Sequence, residues 1–409
     1  MPIAVVILLI VLFAIAFRRV IRVAIPIWVI MAIGAVAALL LQQITGLSAL
    51  KAIEPEVMFY LFGVFLICQA AEDCGYLEHL TDKIFRRART GKQALAIIVF
   101  ILGLSAALLM NDTIAIIGTP ILLQLCKSHR GLIKPLLFGL AFSITVGSTL
   151  SPIGNPQNLL IAVKGEIVSP FFDFVYSLLI PTLLSLVVTY LLIYFKFKTM
   201  LNEPIEKPIP LPINNYQVVI LVKISLAIMV VLVGAKIIMD CIQTVVRINF
   251  SYIALIAALP LLLSKQRWNF IKKLDWGTLI FFASTFVLMQ AVWESGFFQA
   301  NINHFHITVT QIPVVLAIST ILSQFISNVP LVALYLPLLL HHHLPHSHLL
   351  ALAVGSTLAG NLSILGAASN IIIIQNSEKR GVRGFGFLEF IKLGLPLTLI
   401  TILIFAYFL

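Results

Sequence analysis

Apolar residues run along this chain in long blocks that show neither the alternation of a strand nor the one-sided stripe of a surface helix. The blocks are residues 1–17, 24–45, 52–72, 93–127, 135–163, 171–195, 218–240, 249–263, 276–299, 312–343, 349–374 and 388–409. Most are about 17 to 25 residues long, enough at about 1.5 Å per helical residue to span a bilayer core of roughly 30 Å. Blocks 93–127 and 312–343 are too long for one crossing, and each carries a polar interruption near its middle, at Asn111-Asp112-Thr113 and Ser327-Asn328. We read each as a re-entrant hairpin that enters and leaves on the same face. The pattern predicts an all-α polytopic membrane protein of about ten transmembrane helices plus two hairpins.

Composition narrows the class. Hydrophobic residues make up 60% of the 409 positions and Asp, Glu, Lys and Arg only 11%, against roughly 25% charged in an average soluble domain. That excludes a soluble enzyme, a disordered chain and a nucleic-acid binder, so the net charge of +11 needs another cause. Lys and Arg collect in alternate loops: 21 fall on one side and 3 (Lys51, Lys164 and Arg247) on the other. The positive-inside rule makes the first side cytoplasmic and sets both termini outside the cytoplasmic (inner) membrane. Two full crossings in place of a hairpin would give the same count. Residues 1–17 have no positive charge before them and Arg18, Arg19 and Arg22 after them, the reverse of a secretory signal, so we read a retained helix. Cys68, Cys74, Cys126 and Cys241 form no CxxC pair and imply neither a disulfide framework nor a zinc site.

Three segments recur in order. Cys68 to Gly75 resembles Met289 to Gly296, Met110 to Pro120 resembles Ser327 to Pro337, and Gly147 to Asn158 resembles Ala359 to Asn370, at offsets of 221, 217 and 212 residues. The chain then divides into a first repeat, 1–200, a proline-rich cytoplasmic linker, 201–217, and a second repeat, 218–409. Each repeat carries a hairpin (93–127; 312–343) and a broken helix (135–163; 349–374). Five crossings per repeat, an odd number, turn the second copy upside down. Inverted repeats with broken helices are the architecture of alternating access around a midplane site.

Non-helical backbone inside a bilayer leaves N–H and C=O groups unpaired and survives only when buried in protein or lining a wet cavity. Four breaks are read here: Asn111-Asp112-Thr113, Gly154-Asn155-Pro156-Gln157-Asn158, Ser327-Asn328-Val329-Pro330 and Gly366-Ala367-Ala368-Ser369-Asn370. Free helix N-termini can hold an anion. Carbonyls with Asn, Ser and Thr oxygens can hold a small hard cation such as sodium. The same residue types also kink or pack transmembrane helices without binding anything, a reading that weakens when four breaks fall at repeat-related places.

NDTIAIIGTP, GSTLSPIGNPQN, SQFISNVP and SILGAASN resemble the signature segments of the ion transporter superfamily. That group holds the divalent anion:sodium symporters, the arsenite permeases and the D-type sodium/proton antiporters; the likeness is greatest to bacterial anion permease-like members. It covers nearly the whole chain in order and spacing, and specifies superfamily rather than substrate. It implies a transporter without a resident cofactor, with sodium as a candidate coupling ion. In the symporters a Ser-Asn-Thr triplet at each hairpin tip contacts sodium and the substrate carboxylate; those roles fall on Asn111 and Thr113, and on Ser327 and Asn328. The chain departs from the triplet at Met110, Asp112 and Val329, and has Asn155-Pro156-Gln157-Asn158 where the symporters carry Thr-Pro-Pro-Asn and the arsenite permeases Asp-Pro-Pro-Asn. The candidate substrate site is then Asn111, Thr113, Asn155, Pro156, Asn158, Ser327, Asn328, Gly366 and Asn370, and the candidate sodium site Asn111, Asp112, Gly154, Asn328 and Ala367.

Asp112 lies midway along an apolar hairpin, where ionisable groups are costly and face cavities. It either serves coupling, by binding a proton or helping to bind sodium, or caps the second hairpin arm. Asp73 and Glu294 read as interfacial acids at helix ends, Lys223, Lys236 and Lys392 as snorkelling lysines, and His341, His342, His343, His346 and His348 as a solvated outer loop. The expected function is a secondary active transporter moving a small inorganic or carboxylate anion with sodium or protons. The alternative is a sodium/proton antiporter or an arsenite-type efflux permease of the same superfamily. No HExxH, GxSxG or GxxxxGK[ST] occurs, so an enzyme is not expected. A homodimer is expected only by analogy with related folds.

Overall fold

The computed structural model describes residues 1–17, 25–85, 88–126, 129–205, 215–242, 248–297, 311–326, 328–342, 344–382 and 384–409. Ser327, His343 and linker residues 206–214 lie outside these. Among the described residues the regular structure is helical, and seven helices are long and apolar enough to cross a membrane. The first half contains α1 (Ile3–Phe17), α2 (Ile27–Leu40), α3 (Gly46–Ala52), α4 (Pro55–Asp73), α5 (Tyr76–Phe85), α6 (Gly91–Leu109), α7 (Asn111–Leu125), α8 (Ile133–Ser148), α9 (Pro156–Lys164) and α10 (Pro170–Lys196), followed by the short α11 (Lys198–Leu201). The second half contains α12 (Tyr216–Cys241), α13 (Phe250–Leu262), α14 (Arg267–Lys273), α15 (Trp276–Glu294), α16 (Ile312–Ile326), α17 (Asn328–His341), α18 (His346–Leu362), α19 (Ala368–Lys379) and α20 (Phe387–Phe408).

Local signals set the ends. Pro55 opens α4 at its first position, where a missing N–H costs nothing. Gly75 closes it in the left-handed region at φ +75°, and Gly296 closes α15 in the same way at φ +69°. One turn earlier, Gln69 Nε2 donates to Asp73 Oδ1 at 3.2 Å, and Gln290 Nε2 donates to Glu294 Oε1 at 3.0 Å. Both acids therefore end helices, and Asp73 also accepts from Lys273 Nζ at 3.0 Å and Asn269 Nδ2 at 3.3 Å on α14. α5 and α14 were not foreseen: their Lys- and Arg-rich stretches read as loops, but apolar residues recur at helical spacing between the charges, with Phe85 and Phe270 buried.

Packing contacts come in matched pairs. α6 lies on α8 as α16 lies on α18; α8 meets α10 as α18 meets α20; α1 meets α2 as α12 meets α13; α4 packs on α13 as α15 packs on α2. The halves join where α8 crosses α18, where α10 meets α20, and where the second arm of each hairpin packs on the last segment of the other half: α7 against α19, and α17 against α9. α8 is buried from Pro135 through Ser148 and α18 from Leu349 through Asn361. The outer helices show apolar side chains instead, such as Leu179, Ile180 and Leu184 on α10, as a lipid-facing surface requires.

The sequence places the polar motifs in the breaks; the structure puts most of them just after. The interruption between α6 and α7 is Met110, buried, with φ +67° and ψ 146°, and Asn111, Asp112 and Thr113 form the first turn of α7. In the first broken helix the non-helical stretch is 149–155, so that Asn155 is the cap and Pro156, Gln157 and Asn158 the first turn of α9. In the second it is 363–367, with a short 3₁₀ turn at Ile364–Gly366, and Ala368, Ser369 and Asn370 open α19. Asn328 likewise opens α17. The reason is electrostatic: Asn, Asp and Ser side chains and a leading proline suit the unpaired N–H groups of a helix start.

Candidate functional site

The most extensively hydrogen-bonded polar cluster described forms at the first broken helix. Asn155 Oδ1 accepts from the Asn158 backbone N–H at 2.8 Å, capping α9. Asn158 Nδ2 returns to the carbonyls freed by the end of α8, donating to Ser148 O at 3.2 Å and Ser151 O at 3.1 Å. Asn155 Nδ2 donates to Ser148 Oγ at 3.2 Å and, across the halves, to Thr357 Oγ1 at 3.1 Å. Thr357 also accepts from Gln157 Nε2 at 3.3 Å and donates to Asn158 Oδ1 at 3.3 Å. A helix end, a helix start and a residue 202 positions away are thus tied together with buried groups satisfied.

The second broken helix repeats part of this. Asn370 Nδ2 donates to Gly360 O at 2.6 Å and Ser363 O at 3.4 Å, the same two bonds as Asn158 at an offset of 212. Gln324 of α16 holds the turn, donating to Ala359 O at 2.7 Å and accepting from Ser363 Oγ at 2.7 Å. The cap position before α19 is Ala367, whose side chain cannot cap. The group that meets this start comes from the other half: the carboxylate of Asp112 interacts with the backbone N–H of Ser369. A carboxylate suits the positive end of a helix. Asp112, expected from the sequence either to serve coupling or to cap its own hairpin arm, meets the start of the opposite half's helix instead.

The hairpin tips differ. Asn111 N–H donates to Gly154 O at 2.9 Å, joining the first tip to the first break, and Asn111 Oδ1 accepts from Asp112 N–H at 2.9 Å. Thr113 turns toward α4, where Cys68 Sγ donates to its Oγ1 at 3.5 Å. Asn328 is buried with an unpartnered Oδ1, and Ser327 is outside the described residues. Gly154 and Gly366 each sit where a β-carbon would strike a carbonyl oxygen, of Ser148 and Ala359 respectively. The lysines lie elsewhere: Lys236 Nζ is 4.9 Å from the Phe250 ring centroid and Lys223 Nζ is 5.5 Å from that of Tyr76. His346 Nδ1 meets Asp173 Oδ2 at 3.1 Å, far from the breaks in the chain, and no His, Cys, Asp and Glu group able to hold a metal occurs among the described residues.

Thr357, Ser148, Gln324, Ser369 and Gln157 belong to these networks and were not assigned roles from the sequence. One signal was there. The pentapeptide Val-Gly-Ser-Thr-Leu occurs twice, at 146–150 and 354–358, once in each broken helix. It ends α8 but lies inside α18, which continues to Leu362.

Comparison with known proteins gives the family. A 46 kDa membrane protein of Mycobacterium leprae is 24% identical over 371 residues, covering 86% of this chain and 84% of that one. The rice silicon efflux transporter LSI3 is 24% identical over 454 residues, covering 90% and 89%. Among solved structures, Neisseria gonorrhoeae MtrF, described within a class of antimetabolite efflux pumps, superposes with a TM-score of 0.50 at 12% identity over 87% of this chain and 80% of its own, a likeness of fold alone. A family model described as citrate transporter, CitMHS, matches residues 5–344. The chain belongs to this citrate transporter family of the ion transporter superfamily and is a multi-pass membrane transporter.

Proposed function

We propose that the protein is a secondary active transporter that moves a small inorganic or carboxylate anion across the cytoplasmic membrane, coupled to sodium or protons, with its two halves acting as inverted repeats around a midplane site. The observation that supports this most is the crossing of the halves at their breaks: α19 starts on Asp112 of the first hairpin, and the start of α9 is bonded to Thr357 of the second half. Four helices, α7, α9, α17 and α19, begin at the breaks. Their N-terminal N–H groups suit an anion, while the nearby carbonyl and amide oxygens suit a cation. Motion of one half against the other would then remake both junctions. The loop charges support cytoplasmic positive loops and outer termini.

An efflux permease is the second reading, favoured by the printed function of the rice relative. Both are tested in proteoliposomes by following citrate and a panel of small oxyanions under imposed sodium or proton gradients. Inward movement driven by a gradient supports symport; movement only against an outward cation flux supports efflux by exchange. Passive, gradient-independent current contradicts a carrier. Asn111→Ala and Asn328→Ala are each expected to abolish movement while protein remains in the membrane. Normal transport by both variants would remove the hairpin tips from the site.

A further inference from the structure

Two short helices that no long apolar run announces stand at matching places in the two halves. α3 (Gly46–Ala52) links α2 to α4, and α14 (Arg267–Lys273) links α13 to α15. Each has seven residues, and they lie 221 positions apart, the offset that also relates Cys68 to Met289. They bury the same position, Ala49 and Phe270, and expose the same position, Leu47 and Trp268. On the inverted-repeat reading α3 lies at the outer surface of the bilayer and α14 at the cytoplasmic surface. Their charges differ. Lys51 and Lys272 correspond, but Ile44, Gly46 and Ala52 stand where the second half has Lys265, Arg267 and Lys273.

α14 has three distinct faces. Phe270, with Leu274 just beyond the helix, is buried. Asn269 and Lys273, one turn apart, turn to α4, where both donate to Asp73. Trp268 and Lys272, one turn apart on the remaining face, are exposed, as are Lys265 and Arg267 before them. Asp73 neutralises Lys273, but Lys265, Arg267 and Lys272 have no ion-pair partner among the described residues. The one acid of the segment, Asp275, accepts instead from the N–H and hydroxyl of Thr278. Apolar side chains bracket the free cations: Leu263 at the end of α13 is 76% exposed, Trp268 62% and Trp276 at the start of α15 44%. Cations set among exposed aromatic and aliphatic groups suit the boundary of hydrocarbon and headgroups, where tryptophan is favoured. A soluble acidic partner would match the charges but would leave these apolar groups unused. The cytoplasmic leaflet carries the negative surface potential that attracts lysine and arginine.

We propose that α14 forms a binding site for an acidic phospholipid of the cytoplasmic leaflet, with Lys265, Arg267 and Lys272 holding the headgroup phosphate and Trp268 lying beside the upper acyl carbons. Asp73, through Asn269 and Lys273, fixes the site to α4. α3, its counterpart at the other surface, has one cation and takes no such lipid. The site rests on the orientation read from the loop charges and not on the identity of the solute.

The test uses the full chain purified in a neutral detergent. Phosphatidylglycerol, phosphatidylcholine or inorganic phosphate is titrated in at constant ionic strength while the melting temperature is followed, since a ligand of the folded state raises it. The expected result is a saturable rise with phosphatidylglycerol and none of comparable size with phosphatidylcholine or free phosphate. A variant combining Lys265→Gln, Arg267→Gln and Lys272→Gln is expected to need about a hundredfold more phosphatidylglycerol for the same rise. It should fold normally, because none of the three side chains has an ion pair to lose. Trp268→Ser is expected to weaken binding about tenfold. The control removes equal charge elsewhere on the cytoplasmic side, through Lys196→Gln, Lys198→Gln and Lys392→Gln, and is expected to keep wild-type affinity. Equal responses to the two lipids, an equal response to free phosphate, or a triple variant that binds no more weakly than the control would overturn the proposal. Absence of any solute movement in proteoliposomes removes the transporter reading, while the lipid titration is read independently of it.

Discussion

Asn158→Ala is expected to abolish transport and to lower the melting temperature more than any other single change in the polar cluster. The side chain satisfies two buried carbonyls, Ser148 O and Ser151 O, and accepts from Thr357 Oγ1. Truncation removes three bonds at about 0.5–1.5 kcal/mol each, while Ser148 O keeps Asn155 Nδ2, Ser151 O keeps the Gly154 N–H, and Thr357 keeps Asn155 and Gln157. The comparison that makes this specific is Asn370→Ala. It removes two bonds, to Gly360 O and to Ser363 O, the latter keeping the Gly366 N–H, and its own Oδ1 has no partner to lose. With two bonds lost against three, the protein should lose less stability at Asn370 than at Asn158, although both variants lose transport. Equal melting temperatures for the two, or wild-type transport by either, would show that the two breaks are not built as described.

Gly147→Ala is expected to prevent accumulation of folded protein. A β-carbon at Gly147 would strike the carbonyl oxygen and carbon of Gly103, where α8 crosses α6. Backbone meets backbone, so no rotamer change relieves the contact. Overpacking costs typically 1–3 kcal/mol even when side chains can adjust, and here none can. Close approach through small residues is the usual basis of helix packing in lipid. Gly234→Ala is the control: a β-carbon there meets nothing within 4 Å, and alanine is the better helix former by about 1 kcal/mol. Fluorescence-detected size-exclusion chromatography of the two variants should give a lost or aggregated peak for Gly147→Ala and a wild-type peak for Gly234→Ala. A monodisperse wild-type peak from Gly147→Ala would mean that the two helices do not approach at this point.

Much of the fold is legible in the chain because lipid imposes a simple rule: apolar blocks of bilayer length become helices. The breaks at residues 110, 149–155 and 363–367 follow from polar residues set in such blocks. Their exact placement does not, because Asn111, Asn158 and Asn370 act as helix-start residues and so belong to the turn after the break. Met110 is not recognisable as the residue with positive φ, since the surrounding structure imposes that conformation. Charge-rich α5 and α14 escape a reading based on long apolar runs. The partners of the site escape it more completely. Thr357 reaches Asn155 across 202 residues, and Asp112 reaches Ser369 across the two halves. No local pattern encodes either contact, and the doubled Val-Gly-Ser-Thr-Leu segment was the one trace of Thr357 in the sequence. The same limit explains why Asp112 stood between capping and coupling. The helix it meets is not its own.

The most direct measurement of the central proposal, a midplane site reached from each face in turn, is thiol accessibility at Ala367. Cysteine is close to alanine in size, so Ala367→Cys is made in a background with Cys68, Cys74, Cys126 and Cys241 replaced by serine, and transport is checked first. Membrane-impermeant reagents of opposite charge are then applied to the outer face in right-side-out vesicles and to the inner face in inverted ones. Labelling from both faces, at rates that shift in opposite directions when the coupling-cation gradient is reversed, is the expected result. Labelling from one face only under every condition, or no labelling from either in a variant that transports, would contradict it.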